Sequence, residues 1–258
     1  MANSWKSAHL GEVASFSQGI QVPVEEQFEE KNDDLSVFIR IVDFTNTSES
    51  PRYIKTPSIK SFVEKDDLIM IRYGSQTAGK VVRGKTGYIA NNMFRIDVNV
   101  DWVDKGYLYY YLSSEKIFNF LRSTQSSSTM PAITFGMLKN IGINYPEISE
   151  QRLIASFGDS INNKIALNRQ INTTLESMAQ ALFKSWFVDF DPVIDNALAA
   201  GNDIPDALQQ RAELRLQAQQ LPEFTPVPDD IRALFPSEFE QTNDPSIGIS
   251  GWIPKGWE

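Results

Sequence analysis

The stretch SEQRLIASFGDSINNKIALNRQINTTLESMAQALFKSWFVDF, residues 149–190, decides the fold of this chain. It contains no proline, a single glycine at position 158, and at its start a serine that suits a helix N-cap. Apolar side chains recur in it at steps of three, four or six residues, which place them on one helix face. This stripe consists of Ile154, Phe157, Ile161, Ile165, Ile171, Leu175, Met178, Leu182 and Trp186. The pattern predicts one long spacer helix over residues 149–191.

A helix of this length needs a partner helix alongside it. About 38 residues at 1.5 Å each make a rod of roughly 57 Å, much longer than an average helix. A single apolar stripe on such a rod is buried by packing against another helix. Lys164 and Asn168 interrupt the stripe, and they either fix the register of that pairing or point to solvent.

The residues before this helix have the pattern of a mixed α/β domain over 1–148. Runs rich in β-branched and aromatic residues, and alternating runs, predict strands. We expect strands at Ser36–Asp43, Asp67–Tyr73, Met93–Val98 and Ile141–Tyr145, and a hairpin formed by Lys80–Arg83 and Gly87–Asn91 to which Met93–Val98 adds. Helical spacing of apolar residues predicts a helix over Asp104–Leu121. The fold class is therefore α+β.

The residues after the long helix are less regular. Asp191-Pro192 ends the long helix, because proline cannot continue it. A second, shorter helix is predicted over Asn202–Gln220, within a segment 192–221. Residues 222–258 contain six prolines and no clear period, which indicates a linker or an extended arm.

Composition excludes several classes of site. The 258 residues include no cysteine and one histidine, His9, so disulfides, thiolate metal sites and designs that need two histidines are excluded. His9 is expected to be a surface residue, and no cofactor is expected. No apolar run reaches eighteen residues, and the N-terminus lacks the apolar stretch of a signal peptide, so we expect a cytoplasmic protein.

The negative charge is unevenly distributed. The net charge is −9, but residues 1–150 hold 16 basic and 18 acidic side chains, whereas residues 151–258 hold 8 and 15. The segment from Arg72 to Arg95 contains five basic residues and no acidic one. Because salt screens charges beyond about 10 Å, such a segment can form a positive face on an acidic protein. Scattered, solvated charges are the alternative.

Polar and basic residues around this segment are suited to DNA. Arg and Lys pair with phosphates or guanine, and Gln and Asn with adenine, while small hydroxyl side chains suit backbone phosphates. The candidate DNA-binding residues are Arg72, Tyr73, Ser75, Gln76, Lys80, Arg83, Lys85, Asn91, Asn92, Gln125, Ser127 and Thr129. The alternative is a set of ordinary polar turns.

One phosphate-binding pattern occurs by spacing alone. Gly79–Thr86 fits G-x-x-x-x-G-K-[ST], which in a P-loop precedes a helix. Here Val81-Val82 and Gly87 favour extended backbone, so a basic turn is the preferred interpretation and a P-loop NTPase an unfavoured one. No other catalytic constellation is found, so we expect a protein that is not an enzyme.

The sequence as a whole resembles the specificity (S) subunit of type I restriction–modification enzymes. The early segments that carry the resemblance are Trp5 with Leu10–Val13, Phe38–Phe44, Asp67–Gly74 and Gly87–Asn92. Its strongest parts are Ile141–Ala155 and Leu175–Val193.

This resemblance implies a division of labour. Target recognition domains read the two halves of a bipartite double-stranded DNA site, and long helices, paired antiparallel as a coiled coil, hold them apart. Methyltransferase (M) and restriction (R) subunits dock on this scaffold and supply the chemistry. The chain has one such domain and one long helix, and Ile253–Glu258 resembles the onset of a second domain. A half-length S protein that pairs with a second copy through the long helix is therefore expected; a helical adaptor that binds no DNA is the alternative.

Overall fold

Two units make up the chain in the computed structural model, Met1–Asn163 and Lys164–Glu258. The structure describes residues 5–46, 48–57, 61–74, 76–124 and 132–257. The mixed architecture with one long helix confirms the predicted α+β class.

Short strands and helices make up the first unit. The strands are β1 Lys6–His9, β2 Ala14–Gln18, β3 Leu35–Ile39, β4 Arg52–Lys55, β5 Phe62–Val63, β6 Leu68–Ile71, β7 Val81–Val82, β8 Gly87–Ile89, β9 Met93–Val98 and β10 Gly142–Tyr145. The helices that precede the long one are α1 Leu10–Val13, α2 Val42–Thr45, α3 Lys105–Leu112, α4 Glu115–Ser123 and α5 Phe135–Lys139.

The strands form two four-stranded sheets and one two-stranded sheet. The four-stranded sheets have the orders β2-β9-β6-β7 and β4-β3-β8-β5, and β1 pairs with β10. All these pairings are antiparallel except that of β3 with β8. The chain therefore passes from one sheet to the other between β7 and β8.

Strand β6 contributes to both hydrophobic cores of this unit. Leu68 and Met70 belong to the core with Phe94, α3 and α4, whereas Ile69 and Ile71 belong to the second core, with Ile89. All four β6 side chains are fully buried because successive residues of a strand point to opposite faces.

Four expectations for this unit are corrected. The strand expected over Ser36–Asp43 ends at Ile39, and a short helix, Val42–Thr45, follows it. The predicted hairpin is wrong, since Val81–Val82 pairs with β6 while Gly87–Ile89 pairs with β3 and β5. Met93–Val98 is a strand as predicted, but it pairs with β2 and β6. The helix expected over Asp104–Leu121 is two helices, since α3 ends at Leu112 and α4 begins at Glu115.

The long helix predicted from the sequence is confirmed. Helix α6 runs over Ile148–Phe183, 36 residues, and a π-helical turn, Lys184–Val188, follows it. Gln151 and Ala155 are its buried residues. From Phe157 to Leu182 the predicted stripe is exposed, with 70% of Phe157 and 63% of Met178 accessible, while Ile154 and Trp186 are half-buried.

The second unit contains more structure than expected. Its elements after the π-helical turn are α7 Asp191–Ala200, α8 Asp206–Gln219, α9 Asp229–Arg232, and the antiparallel strands β11 Phe239–Gln241 and β12 Trp252–Pro254. The segment 192–221 thus holds two helices, because Pro192 in a first turn is compatible with a new helix. The predicted arm 222–258 is in part folded, and its resemblance to a domain onset stays a prediction.

Ion pairs join α7 to α8 in this unit. Asp191, 2% exposed, accepts hydrogen bonds of 2.7 Å from Nε and from a terminal nitrogen of Arg211, and one of 2.6 Å from Ser185. Asp195 pairs with Arg215 in the same way. These hydrogen bonds raise the pKa of both guanidinium groups. No described helix combines the length and the apolar character that a membrane span requires.

Candidate nucleic-acid interface

The first part of the candidate interface lies where β6 ends. The Arg72 N–H donates to the Asn92 carbonyl at 2.9 Å, and the Arg72 carbonyl accepts from Ile133 at 3.0 Å. Gly74, at a φ of 115°, turns the chain back, and the Thr77 hydroxyl donates to the Tyr73 carbonyl at 2.9 Å. This turn presents Gln76 as an exposed side chain.

The turn between β8 and β9 brings amide side chains to the same place. The Asn91 N–H donates to the Ile20 carbonyl at 2.7 Å, and the Gln18 Nε2 donates to the Asn91 carbonyl at 2.7 Å. The Asn91 Nδ2 also donates to Gln21 Oε1 at 3.3 Å. A Cβ on Gly19 would lie 2.2 Å from the Ala90 carbonyl oxygen, so only glycine permits this close approach.

We call this cluster the amide edge and define it as Gln18, Gln21, Arg72, Tyr73, Gln76, Asn91 and Asn92. Its one formal charge is the Arg72 guanidinium, which lies 4.7 Å from the centre of the Tyr73 ring and 5.3 Å from that of Phe94. Within the described ranges, Arg72 makes no ion pair. Its Nε and the Asn92 Oδ1 are buried and have no hydrogen-bond partner among the residues that the structure describes. The edge thus combines amide donors and acceptors with a positive charge that no described carboxylate neutralises.

The three other basic candidates, Lys80, Arg83 and Lys85, make different contacts. Lys80 is exposed beside β6, and its carbonyl accepts from the Ile71 N–H at 2.9 Å. Lys85 places its ammonium 5.7 Å from the centre of the Phe44 ring. The Arg83 guanidinium pairs with Asp159 of α6 and donates to the Tyr110 hydroxyl at 3.3 Å. Arg83 therefore serves an internal contact.

Arg95, the last residue of the basic segment, also faces inward. It donates to the Phe62 carbonyl at 2.7 Å and pairs with Asp97 at 2.7 Å and Asp67 at 3.7 Å. Burial would raise the pKa of Asp67, but the hydrogen bonds from Lys105 and from the Glu64 N–H outweigh burial and hold that pKa below its usual value. The basic segment is therefore not a continuous positive face.

Four predicted candidates lie outside the described residues: Ser75, Gln125, Ser127 and Thr129. Sequence reasoning missed Gln18 and Gln21, which the structure places beside Asn91. The signal for them was a glycine between amide residues directly after a strand, since glycine there often marks a close backbone approach.

The P-loop alternative finds no support in the geometry. Val81–Val82 is a strand and Gly87–Ile89 another, so no helix follows Thr86 as a P-loop requires. His9 is the exposed last residue of β1, as expected of a surface residue, and its N–H donates to the Glu12 carboxylate at 2.6 Å.

Two known specificity subunits of type I restriction enzymes are similar in sequence to this chain. The HindI specificity subunit of Haemophilus influenzae, a type I restriction enzyme component, is 31% identical over 215 residues, which cover 77% of this chain and 47% of that protein. The MjaIX specificity subunit of Methanocaldococcus jannaschii is 30% identical over 141 residues, which cover 53% and 32%. The chain thus spans less than half the length of each of these relatives.

A solved structure and a family profile extend this likeness. A chain from a study of complex assembly and conformational transition in a type I R-M system superposes with a TM-score of 0.51 at 21% identity, over 72% of this chain and 45% of that one, which indicates a shared fold. The profile of the type I restriction modification DNA specificity domain matches residues 3–177. Because that match covers well over half of its 258 residues, the chain belongs to the type I restriction modification DNA specificity family.

Proposed function

We propose that this chain is a DNA sequence-specificity subunit of a type I restriction–modification system, and that its first unit reads one half of a bipartite target. The observation that carries the proposal is the amide edge in a chain of this family, two of whose relatives are specificity subunits. Methyl transfer and cleavage belong, in this proposal, to M and R subunits that dock on the chain.

The chemistry of the amide edge suits the reading of base edges. Asn and Gln side chains pair bidentately with N6 and N7 of adenine, and Arg pairs with O6 and N7 of guanine. Arg72 is available because no carboxylate neutralises it among the described residues, and Gln76 is exposed. Lys80, exposed nearby in sequence, suits a phosphate contact, which adds affinity without sequence information.

Self-pairing through α6 is the second part of the proposal. A 36-residue helix with its stripe exposed from Phe157 to Leu182 needs a partner surface, and a second copy supplies an identical one. A twofold axis perpendicular to α6 makes the two helices antiparallel and gives the dimer two identical recognition domains. The proposal therefore implies a palindromic bipartite target.

The stripe itself suggests a register for this pairing. An axis that crosses α6 between Arg169 and Gln170 brings Phe157 opposite Leu182 and Ile161 opposite Met178, since the members of each pair are equally far from that point. The same axis brings Lys164 within one residue of Glu176 of the second copy. Opposite charges beside an apolar seam favour one register over others.

Base recognition is tested by mapping the methylated motif in cells that hold this chain with its M partner. The unmutated chain is expected to give a palindromic bipartite motif. Arg72→Gln is expected to change the preferred base at one position, in both halves at once, because both copies carry the substitution. Lys55→Ala removes an exposed cation from β4 and serves as the matched control. An unchanged motif in Arg72→Gln would contradict the assignment of the amide edge.

Self-pairing is tested with a bifunctional maleimide of short reach. The chain has no cysteine, so single Ile161→Cys and Met178→Cys variants give no background cross-links. When the two are coexpressed, an antiparallel dimer links one variant to the other, whereas a parallel dimer links each variant to itself. A chain that gives neither product and sediments as a monomer would refute self-pairing.

A further inference from the structure

The first turn of α6 is anchored by a fully buried amide. The side chain of Gln151 is 0% exposed, and its Oε1 accepts from the Asp104 N–H at 2.9 Å. Its Nε2 donates to the carbonyls of Trp102 and Pro146 at 3.0 and 2.9 Å. Asp104 in turn caps α3, since its carboxylate accepts from the Tyr107 N–H at 2.9 Å. Gln151 therefore ties α6 to the start of α3.

Two turns further along, a tyrosine of α3 makes a second anchor. The Tyr110 hydroxyl donates to Asp159 Oδ1 at 2.6 Å and accepts from Asn162 Nδ2 at 3.0 Å. Its ring lies against Gly158, where a Cβ would be only 2.4 Å away. Burial and the hydrogen bond to Asp159 both raise the pKa of this hydroxyl above its ordinary value.

Arg83 completes this second anchor from the loop after β7. Its guanidinium contacts Asp159, donates to the Tyr110 hydroxyl, and stacks 4.0 Å from the centre of the Tyr109 ring. Its side chain is only 20% exposed. The guanidinium therefore pairs with the carboxylate that Tyr110 binds, and the two contacts together fix the orientation of the Asp159 side chain.

We propose that Tyr110 is a positioning residue: with Gln151 it clamps the first turns of α6 at two points and thereby sets the direction in which the helix leaves the first unit. One anchor alone leaves a helix free to pivot. Anchors at positions 151 and 159 are separated by about 12 Å along the helix axis, so the second one removes the pivot.

The length of α6 amplifies any change in the direction in which the helix leaves the first unit. The helix continues about 36 Å beyond Asp159 to its end at Phe183, at 1.5 Å per residue. A swing of about 10° at the root moves that end by about 6 Å, which is close to two base-pair steps of DNA. The clamp therefore determines how strictly the spacing between two half-sites is selected; this consequence alone rests on the proposed function.

The test measures distances without DNA. Spin labels at Lys116→Cys of α4 and Gln170→Cys of α6 use two exposed positions in a chain without other cysteines, diluted with unlabelled chain so that only one copy is read. Tyr110→Phe is expected to broaden the distance distribution at least twofold. Tyr109→Phe is the matched control, because within the described part of the chain the Tyr109 hydroxyl makes no hydrogen bond. Equal widths in the two variants overturn the clamp.

A second variant reaches the same anchor by a different route. Gly158→Ala improves helix propensity, so it does not loosen α6 itself, but its Cβ displaces the Tyr110 ring. The same broadening is expected. A second experiment uses DNA and the M partner. Binding to the natural site is compared with binding to sites lengthened or shortened by one base pair, for the unmutated chain and for Tyr110→Phe. The variant is expected to discriminate between these sites at least tenfold less well. Equal discrimination overturns the link to spacing, whereas failure of the unmutated chain to bind bipartite DNA refutes the proposed function and leaves the distance result standing.

Discussion

Replacement of Gln151 by alanine removes three buried hydrogen bonds at once. The side chain is inaccessible and serves the Asp104 N–H and the carbonyls of Trp102 and Pro146. At about 1 kcal/mol net for each bond, the expected loss is about 3 kcal/mol in the stability of the first unit, and more if no water replaces the amide. Because 1.4 kcal/mol is a factor of ten, the loss corresponds to roughly 100-fold in an opening equilibrium.

Hydrogen exchange followed by mass spectrometry measures that equilibrium locally. Peptides that cover Asp104 and α3 report this equilibrium when their amides exchange only through full opening of the first unit. Their exchange is expected to be about 100-fold faster in Gln151→Ala. Gln180→Ala makes the same substitution at an exposed position of the same helix, and its effect is expected to stay within about 0.5 kcal/mol. Exchange in Gln151→Ala as slow as in Gln180→Ala would refute the anchoring role.

Three further substitutions have calculable outcomes. Asp67→Asn is expected to lower the free energy of unfolding in urea by about 2 kcal/mol at pH 7. Because the pKa of Asp67 is lowered in the folded state, this difference should shrink as pH falls below the usual pKa of about 3.9. A difference that stays constant with pH would contradict the role of the Asp67 carboxylate. Gly19→Ala should cost about 3 kcal/mol in thermal unfolding, while Gly142→Ala, with open space around its Cβ, should be near neutral. Asp191→Asn should lower the stability of the second unit by about 3 kcal/mol, in contrast to the exposed Asp206→Asn; equal effects would refute the role of the Arg211 pair.

The long helix was predictable because its signal is local and repeated. Nine apolar residues at helical spacing, with one glycine and no proline, favour a helix over every alternative backbone. Helix α6 begins one residue before the predicted start, but it ends at Phe183, where a π-helical turn replaces the last predicted turns. Gly158, the one weak point in that pattern, turned out to be required, since the Tyr110 ring occupies the space of a side chain.

Strand partners were not predictable in the same way. Val81–Val82 and Gly87–Ile89 are both extended and are joined by a short glycine-containing loop, which is the local pattern of a hairpin. The φ of 102° at Gly84 instead lets the chain cross from one sheet to the other. That choice depends on which core each strand completes, and this is a property of the whole unit.

The candidate site shows the same limit. Arg72, Tyr73, Gln76, Asn91 and Asn92 were predicted and lie at one edge, because two strand ends meet there through the Arg72–Asn92 hydrogen bond. Arg83 has the same side chain as Arg72, but its surroundings differ: a carboxylate of α6 reaches it. Charge in a sequence identifies basic residues, and only tertiary contacts decide which of them are already neutralised.

The sharing of β6 between two cores has a consequence for the proposed recognition of DNA. Strand β6 has no solvent-facing side, because its residues Leu68, Ile69, Met70 and Ile71 are all buried in one core or the other. A substitution in this strand therefore disturbs both cores, and we expect the first unit to unfold in a single transition. If the amide edge reads DNA as proposed, changes of target are expected to arise in the turns that flank the strand and not in the strand itself. A library that varies these turns and keeps residues 68–71 unchanged is therefore the natural starting point for altering the proposed recognition.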